Sequence, residues 1–334
     1  MMLACAFTSV PSHAAESAVT ATLVTPASSH AVERGLSLLS DRQLDDGSFG
    51  TTGYERNVAV CSLGGMAFLA SGSTPARGLY AEQINLCIEY LLSQTSEAGF
   101  VTAPDATSRG PMYGHGFATL FLSEVYGMAK QPELRDRLGQ AVDLIIGSQN
   151  EAGGWRYQPQ PQDADVSVTV CQVMALRAAR NAGIAVPRET IDQAIAYVKS
   201  CQNADGGFRY TLVGEEQGSQ FARSAAGVVA LYNAGIYDGV ELERGLRYLE
   251  QFRPGEQQVR RGSFYFYSHY YAVQAMWHAG GERWLRWYPA IRDELVARQR
   301  ADGSWVDPIC AEYGTAMACI VLQVPNNYLP ILQR

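Results

Sequence analysis

One pattern, repeated roughly every fifty residues, restricts this chain to a narrow set of folds. It reads Gln, a short polar run, Gly, and an aromatic side chain six positions after the Gln. The copies are Gln43-Gly47-Phe49, Gln94-Gly99-Phe100, Gln149-Gly153-Trp155, Gln202-Gly206-Phe208 and Gln299-Gly303-Trp305. A degenerate copy holds Gly262 and Phe264. Its expected Gln is Gln251 rather than Gln258, because Pro254 and Gly255 break the helix between them. A period of this length marks a helical array. The apolar stretch after each motif ends in a glycine, at Gly72, Gly127, Gly183, Gly235 and Gly280, which reads as a helix C-cap in the same register. The sixth unit ends differently, at Val324-Pro325.

Each unit therefore predicts two helices. The first is amphipathic, as in Thr190 to Ser200, where Ile191, Ala194, Ile195 and Val198 fall at helical spacing and Thr190 is the expected N-cap. The second, as in Val166 to Ala179, is apolar nearly all round and must be buried. Six polar-faced helices outside and six apolar ones inside predict an all-α, (α/α)6 toroid over residues 30–334, a ring that needs no capping repeats. In such a ring the Gln satisfies orphan backbone groups at a helix junction and the aromatic covers it, so both are scaffold.

Residues 1–29, rich in Ala, Ser, Thr and Pro, read as a signal-like or disordered leader. Met1 to Val10 and Ser12-His13-Ala14 resemble a signal peptide without its basic start, which leaves export and a cytoplasmic place both open.

A hydrophobic share of 47% supplies a large core, and the formal charge of −7 with only Lys130 and Lys199 as lysines makes nucleic acid a poor partner. No apolar run is long enough for a membrane span, which leaves contact with a membrane surface open. The seven cysteines show no metal-type spacing, and Cys61, Cys171 and Cys319 read as core thiols.

The strings Gln149 to Trp155, Gln202 to Phe208 and Gln299 to Trp305 resemble the repeats of squalene–hopene cyclases, oxidosqualene cyclases and protein prenyltransferase β subunits. Met112 to Phe117, Tyr267 to Tyr271 and Tyr313 to Met317 are similar to single-domain bacterial repeat proteins of that superfamily. The resemblance spans about residues 31 to 334 and implies the toroid strongly, but one fold hosts several chemistries.

Candidate site residues follow from the expected ring, whose cavity is lined by the N-terminal ends of the inner helices. These are Tyr54, Glu55 and Asn57 in unit one, Tyr113 and His115 in unit two, Asp163, Asp165 and Ser167 in unit three, and Gln220 and Arg223 in unit four. Unit five adds Tyr267, His269 and Tyr270, and unit six adds Glu312 and Tyr313. A tyrosine-lined hollow suits an isoprenoid-like or other elongated apolar ligand with a polar end, and aromatic faces can stabilise a carbocation.

The cyclases' Asp-x-Asp-Asp-Thr-Ala string is matched in part by Asp163-Ala164-Asp165-Val166-Ser167-Val168, which implies Asp165 as proton donor, with His115, Arg223, His269 and Glu312 around it. The bland alternative makes Asp163 and Asp165 helix caps, His115 and His269 hydrogen bonders of helix starts, and Arg223 an ion-pair partner of Asp165 or Glu312. A zinc site of the prenyltransferase type is disfavoured, since Ser167 stands where Cys is needed, and no cofactor is expected. Two further readings stay open: a carboxylate pair among Asp165, Glu312 and Glu55 acting on a polysaccharide, and a binding or scaffold module without catalysis.

Overall fold

The computed structural model describes residues 23–255 and 264–333. Among them are twelve α-helices and no strand. The outer helices are α1 (Pro26–Arg42), α3 (Ala81–Ser93), α5 (Leu134–Gly147), α7 (Arg188–Ser200), α9 (Val240–Glu250) and α11 (Gly281–Arg298). The inner ones are α2 (Val58–Ala70), α4 (Pro111–Val125), α6 (Val166–Asn181), α8 (Phe221–Asn233), α10 (Tyr265–Ala279) and α12 (Ala311–Gln323). Each inner helix packs on the next, and α12 packs on α2, so the inner ring is closed. Every residue of α6 from Val166 to Ala179 is buried, as its all-round apolar sequence requires.

The repeated motif works by linking each unit to the next. Gln149 Nε2 donates to the Gly153 carbonyl in its own loop and to the Thr190 carbonyl of the following outer helix, at 2.8 and 2.9 Å. Gln43 bridges to Gln83 and Gln202 to Glu241 in the same way. Gln299 reaches the Ala31 carbonyl at 2.8 Å, which ties unit six to unit one. The loop glycine lies against the same outer helix. A Cβ on Gly153 (φ +95) would sit 2.3 Å from the Gln193 carbonyl oxygen, so no other residue fits. Phe49, Trp155, Phe208 and Trp305 are fully buried plugs.

Several expectations are corrected. The spacing in unit two carries one extra residue before Gly99, so Phe100 falls short of the socket and is half-buried, while Val101 fills it at 0% exposure. The Gln94 side chain then donates to its neighbour Ser93 instead of bridging to the next outer helix. Thr190 is not a cap, because Pro187 precedes the helix and α7 starts at Arg188. The leader was expected to reach residue 29, but Leu23 is already buried, and Thr25 forms a capping box with Ser28 ahead of Pro26. The rest of that leader, with Gln258 and Gly262, lies outside the described residues. Phe264 is not a plug but is 46% exposed with φ +84.

After α12 the chain makes short 3-10 turns at Val324–Asn326 and Pro330–Leu332. This tail lies across the C-terminal ends of the inner helices. Ile331 N–H donates to Glu124 Oε2 on α4, Arg177 on α6 donates to the Gln333 carbonyl, and Trp277 on α10 donates to that of Leu332. No described helix is long and apolar enough to cross a membrane.

Candidate functional site

The motif loops also decide where the polar residues of the inner helices point. Trp155, Phe208 and Trp305 each donate their backbone N–H to an inner-helix hydroxyl, on Thr169, Ser224 and Thr315. In unit two the same bond runs from Val101 N–H to His115 Nδ1, and His115 Nε2 meets the Ala141 carbonyl at 3.1 Å. These partners make Nδ1 the acceptor and Nε2 the protonated nitrogen. Burial pushes the His115 pKa down to about 4, so the ring stays neutral. His269, on α10 three inner helices round the ring, is enclosed by Phe221, Tyr265 and Trp287, and burial takes its pKa to about 4 as well. Both histidines, expected at the cavity, instead face outward into the space between the two rings.

Glu312 is likewise removed from the cavity. Its carboxylate is bound by Arg42 at 2.9 Å and by the Thr51 hydroxyl at 2.8 Å, which joins α12 to α1 and the loop of unit one. Asp163 is a surface residue paired with Arg156 at 3.1 Å. Tyr270 is buried behind the wall, edge-on to Phe117. Arg223 was expected to pair with Asp165 or Glu312, but it bonds Glu216, since Arg156 approaches Asp165 and Arg42 holds Glu312.

The remaining candidates do converge. Tyr54, Asn57, Tyr113, Arg223, Tyr267 and Tyr313 line a cavity of about 450 Å³ at the N-terminal ends of the inner helices. Asn57 caps α2 through its carboxamide oxygen and holds the Thr107 carbonyl with its nitrogen. Tyr267 OH donates to the Ser167 carbonyl at 3.0 Å, which fixes its ring across the hollow.

Sequence reasoning missed Arg109, Tyr157, Tyr210, Phe117, Phe264 and Glu216, all of them in the wall. Tyr157 and Tyr210 stand two residues beyond Trp155 and Phe208, so the repeat register could have found them. Their carbonyls accept from Met112 and Val166 at the starts of the preceding inner helices, which sets the rings over the cavity. Their hydroxyls bond one another.

Asp165 sits just behind this wall, at 0% exposure. Its Oδ1 caps α6 by accepting from Val168 N–H at 2.9 Å and also accepts from the Ser167 hydroxyl at 2.6 Å. Ser167 faces the cavity and accepts in turn from Tyr113 OH at 2.8 Å. Among the described residues the Oδ2 atom has no hydrogen bond, and Arg156 Nε stands 3.9 Å from it. Burial raises the Asp165 pKa against the lowering effect of the Ser167 and Val168 donors.

A closed double ring of six helix pairs, hollow at the N-terminal ends of its inner helices, defines the class of α/α toroids. The chain belongs to the prenyltransferase alpha-alpha toroid domain family, whose model matches residues 7–139 and 128–257. No curated protein matches it in sequence. Among solved structures it is similar to the type II terpene cyclase MstE from Scytonema in complex with merosterolic acid A, at 14% identity and TM-score 0.64, covering 90% of this chain and 97% of that one. The cellobiose 2-epimerase from Spirochaeta thermophila gives 15% identity and TM-score 0.66 over 94% and 98% of the two chains. An alpha-1,6-mannanase of Salegentibacter gives 8% identity and TM-score 0.63 over 89% and 98%. At these identities the likeness is one of fold.

Proposed function

We propose that the cavity binds an isoprenoid-like or similarly elongated apolar ligand. The observation that carries this reading is the wall itself: eight aromatic side chains, Tyr54, Tyr113, Phe117, Tyr157, Tyr210, Phe264, Tyr267 and Tyr313, surround a hollow of about 450 Å³. Such a surface rewards burial of hydrocarbon and can face a carbocation with π-electrons. A saccharide site is less well supported, since among the described residues Glu216 is the single carboxylate of the wall. The complex of the MstE relative with geranylgeranyl dihydroxybenzoate fits an isoprenoid ligand. Geranylgeraniol is expected to bind in titration calorimetry, and Ala222→Trp, which fills the hollow from its wall, to weaken that binding at least tenfold, on the order of 1.4 kcal/mol. Equal binding by both proteins would place the ligand elsewhere.

Where the ligand is also converted, Asp165 is the proton donor this reading favours. Burial raises its pKa, and Ser167 links it to the cavity surface. Asp165→Asn keeps the capping oxygen, so folding stability should stay within about 1 kcal/mol of wild type. Conversion of a polyprenyl probe should fall by about a hundredfold or more. Undiminished conversion in a folded Asp165→Asn protein would remove the acid role. A wild-type protein that binds without converting would leave the binding reading alone.

A further inference from the structure

The inner helices do not all begin alike. The starts of α2 and α6 are capped by the side chains of Asn57 and Asp165. The starts of α4 and α6 each receive a carbonyl from the next unit's loop, Tyr157 O on Met112 N–H and Tyr210 O on Val166 N–H. At α8, Gln220 makes no capping bond, and among the described residues no acceptor meets the N–H groups of Phe221, Ala222 or Arg223. Gln220, Ala222 and Arg223 all line the cavity. A thirteen-residue helix thus turns an unsatisfied, partially positive end toward the hollow.

Arg223 stands at the same place. Its side chain is only 7% exposed, and a guanidinium does not lose its proton on burial. Among the described residues one of its five N–H donors is used, from Nη1 to Glu216 Oε2 at 3.2 Å, Nε has no hydrogen bond, and the guanidinium lies 5.8 Å over the Tyr210 ring. Glu216 is a weak counter-ion, because its side chain is 72% exposed. A buried cation, an open helix start and one loosely held surface carboxylate together describe an anion site filled by a substitute.

We propose that the ligand of this cavity carries a carboxylate, seated on Arg223 and the start of α8, and that Glu216 occupies that position in the free protein. The proposal rests on the apolar-ligand reading above and names its head group. The charges of the wall favour a monoanion over a diphosphate. Among the described residues, Arg109, Arg223 and Glu216 are its charged side chains, and they leave one positive charge. Arg109 is engaged elsewhere, donating to Tyr54 OH and lying 5.7 Å over the Phe264 ring. A carboxylate can take two parallel bonds from one guanidinium, and its apolar chain then lies along the tyrosines.

The test uses the full chain and three probes with one hydrocarbon chain: geranylgeranoic acid, geranylgeraniol and geranylgeranyl diphosphate, compared by titration calorimetry at pH 7.5. The acid is expected to bind at least tenfold tighter than the alcohol, through charge-assisted bonds the alcohol lacks. Arg223→Gln should erase that preference and leave the alcohol's Kd within about twofold. Glu216→Gln, at an exposed loop position, should tighten the acid severalfold by removing the competing carboxylate, with a smaller change for the alcohol. Equal affinity of acid and alcohol would overturn the proposal while leaving the cavity reading in place. So would a diphosphate that binds tighter than the acid, or a weakening of the acid by Glu216→Gln. If none of the three binds, both readings fall.

Discussion

Replacing Trp155 by alanine is expected to destabilise the protein by about 3–5 kcal/mol, the usual cost of emptying a large buried aromatic site. Trp155 is 1% exposed, and its Nε1 donates to the Ile145 carbonyl at 2.7 Å. The substitution removes that bond and leaves a void beside α5 and α6. Phe100→Ala supplies the contrast. Phe100 occupies the equivalent place in the sequence but not in space, so its loss should cost no more than about 1 kcal/mol. Val101→Ala, which empties the socket in use, should cost more than Phe100→Ala. Guanidinium denaturation of the three variants measures this, and equal losses for Trp155→Ala and Phe100→Ala would contradict the assigned register.

Stability should fall as pH rises through neutrality, and Glu124 should be a main cause. This carboxyl is buried under the tail, and burial lifts its pKa from 4.5 to about 8, against the pull of the Ile331 N–H and Arg177. The folded state therefore holds a proton between about pH 4.5 and 8 that the unfolded chain has released. The contribution is complete below the unfolded pKa and is lost as pH climbs through the folded one. Glu124→Gln keeps an acceptor for Ile331 and cannot ionise. Relative to wild type it should gain on the order of a few kcal/mol in unfolding free energy between pH 5 and pH 8.5. Parallel stability curves for the two proteins would show that Glu124 does not titrate in this way.

The fold was legible in the sequence because its causes are local and repeated. A Gln and a Gly at fixed spacing carry the same bonds at units one, three, four and six, with a buried aromatic two residues after the Gly. Where the spacing slips by one residue, as before Gly99, the eye follows the aromatic while the structure follows the glycine, and Val101 takes the place of Phe100. The site was legible in part. Tyr54, Tyr113, Tyr267 and Tyr313 could be placed by aligning inner-helix starts. His115 and His269 could not, because helix position fixes how deep a residue lies but not whether it faces the hollow or the outer ring, a difference of one step round the helix. Arg109 and Glu216 sit on loops of irregular length, where no period constrains position, and only their contacts reveal them.

The bond from Gln299 to Ala31 has a thermodynamic consequence. In an open solenoid the outermost modules have one neighbour and fray first, so melting spreads inward from the ends. Here the last module grips the first, and none is outermost. Loosening one pair of helices strips partners from both flanks at once, so denaturation should pass through a single sharp transition, and amide protons throughout the inner helices should exchange with similar protection.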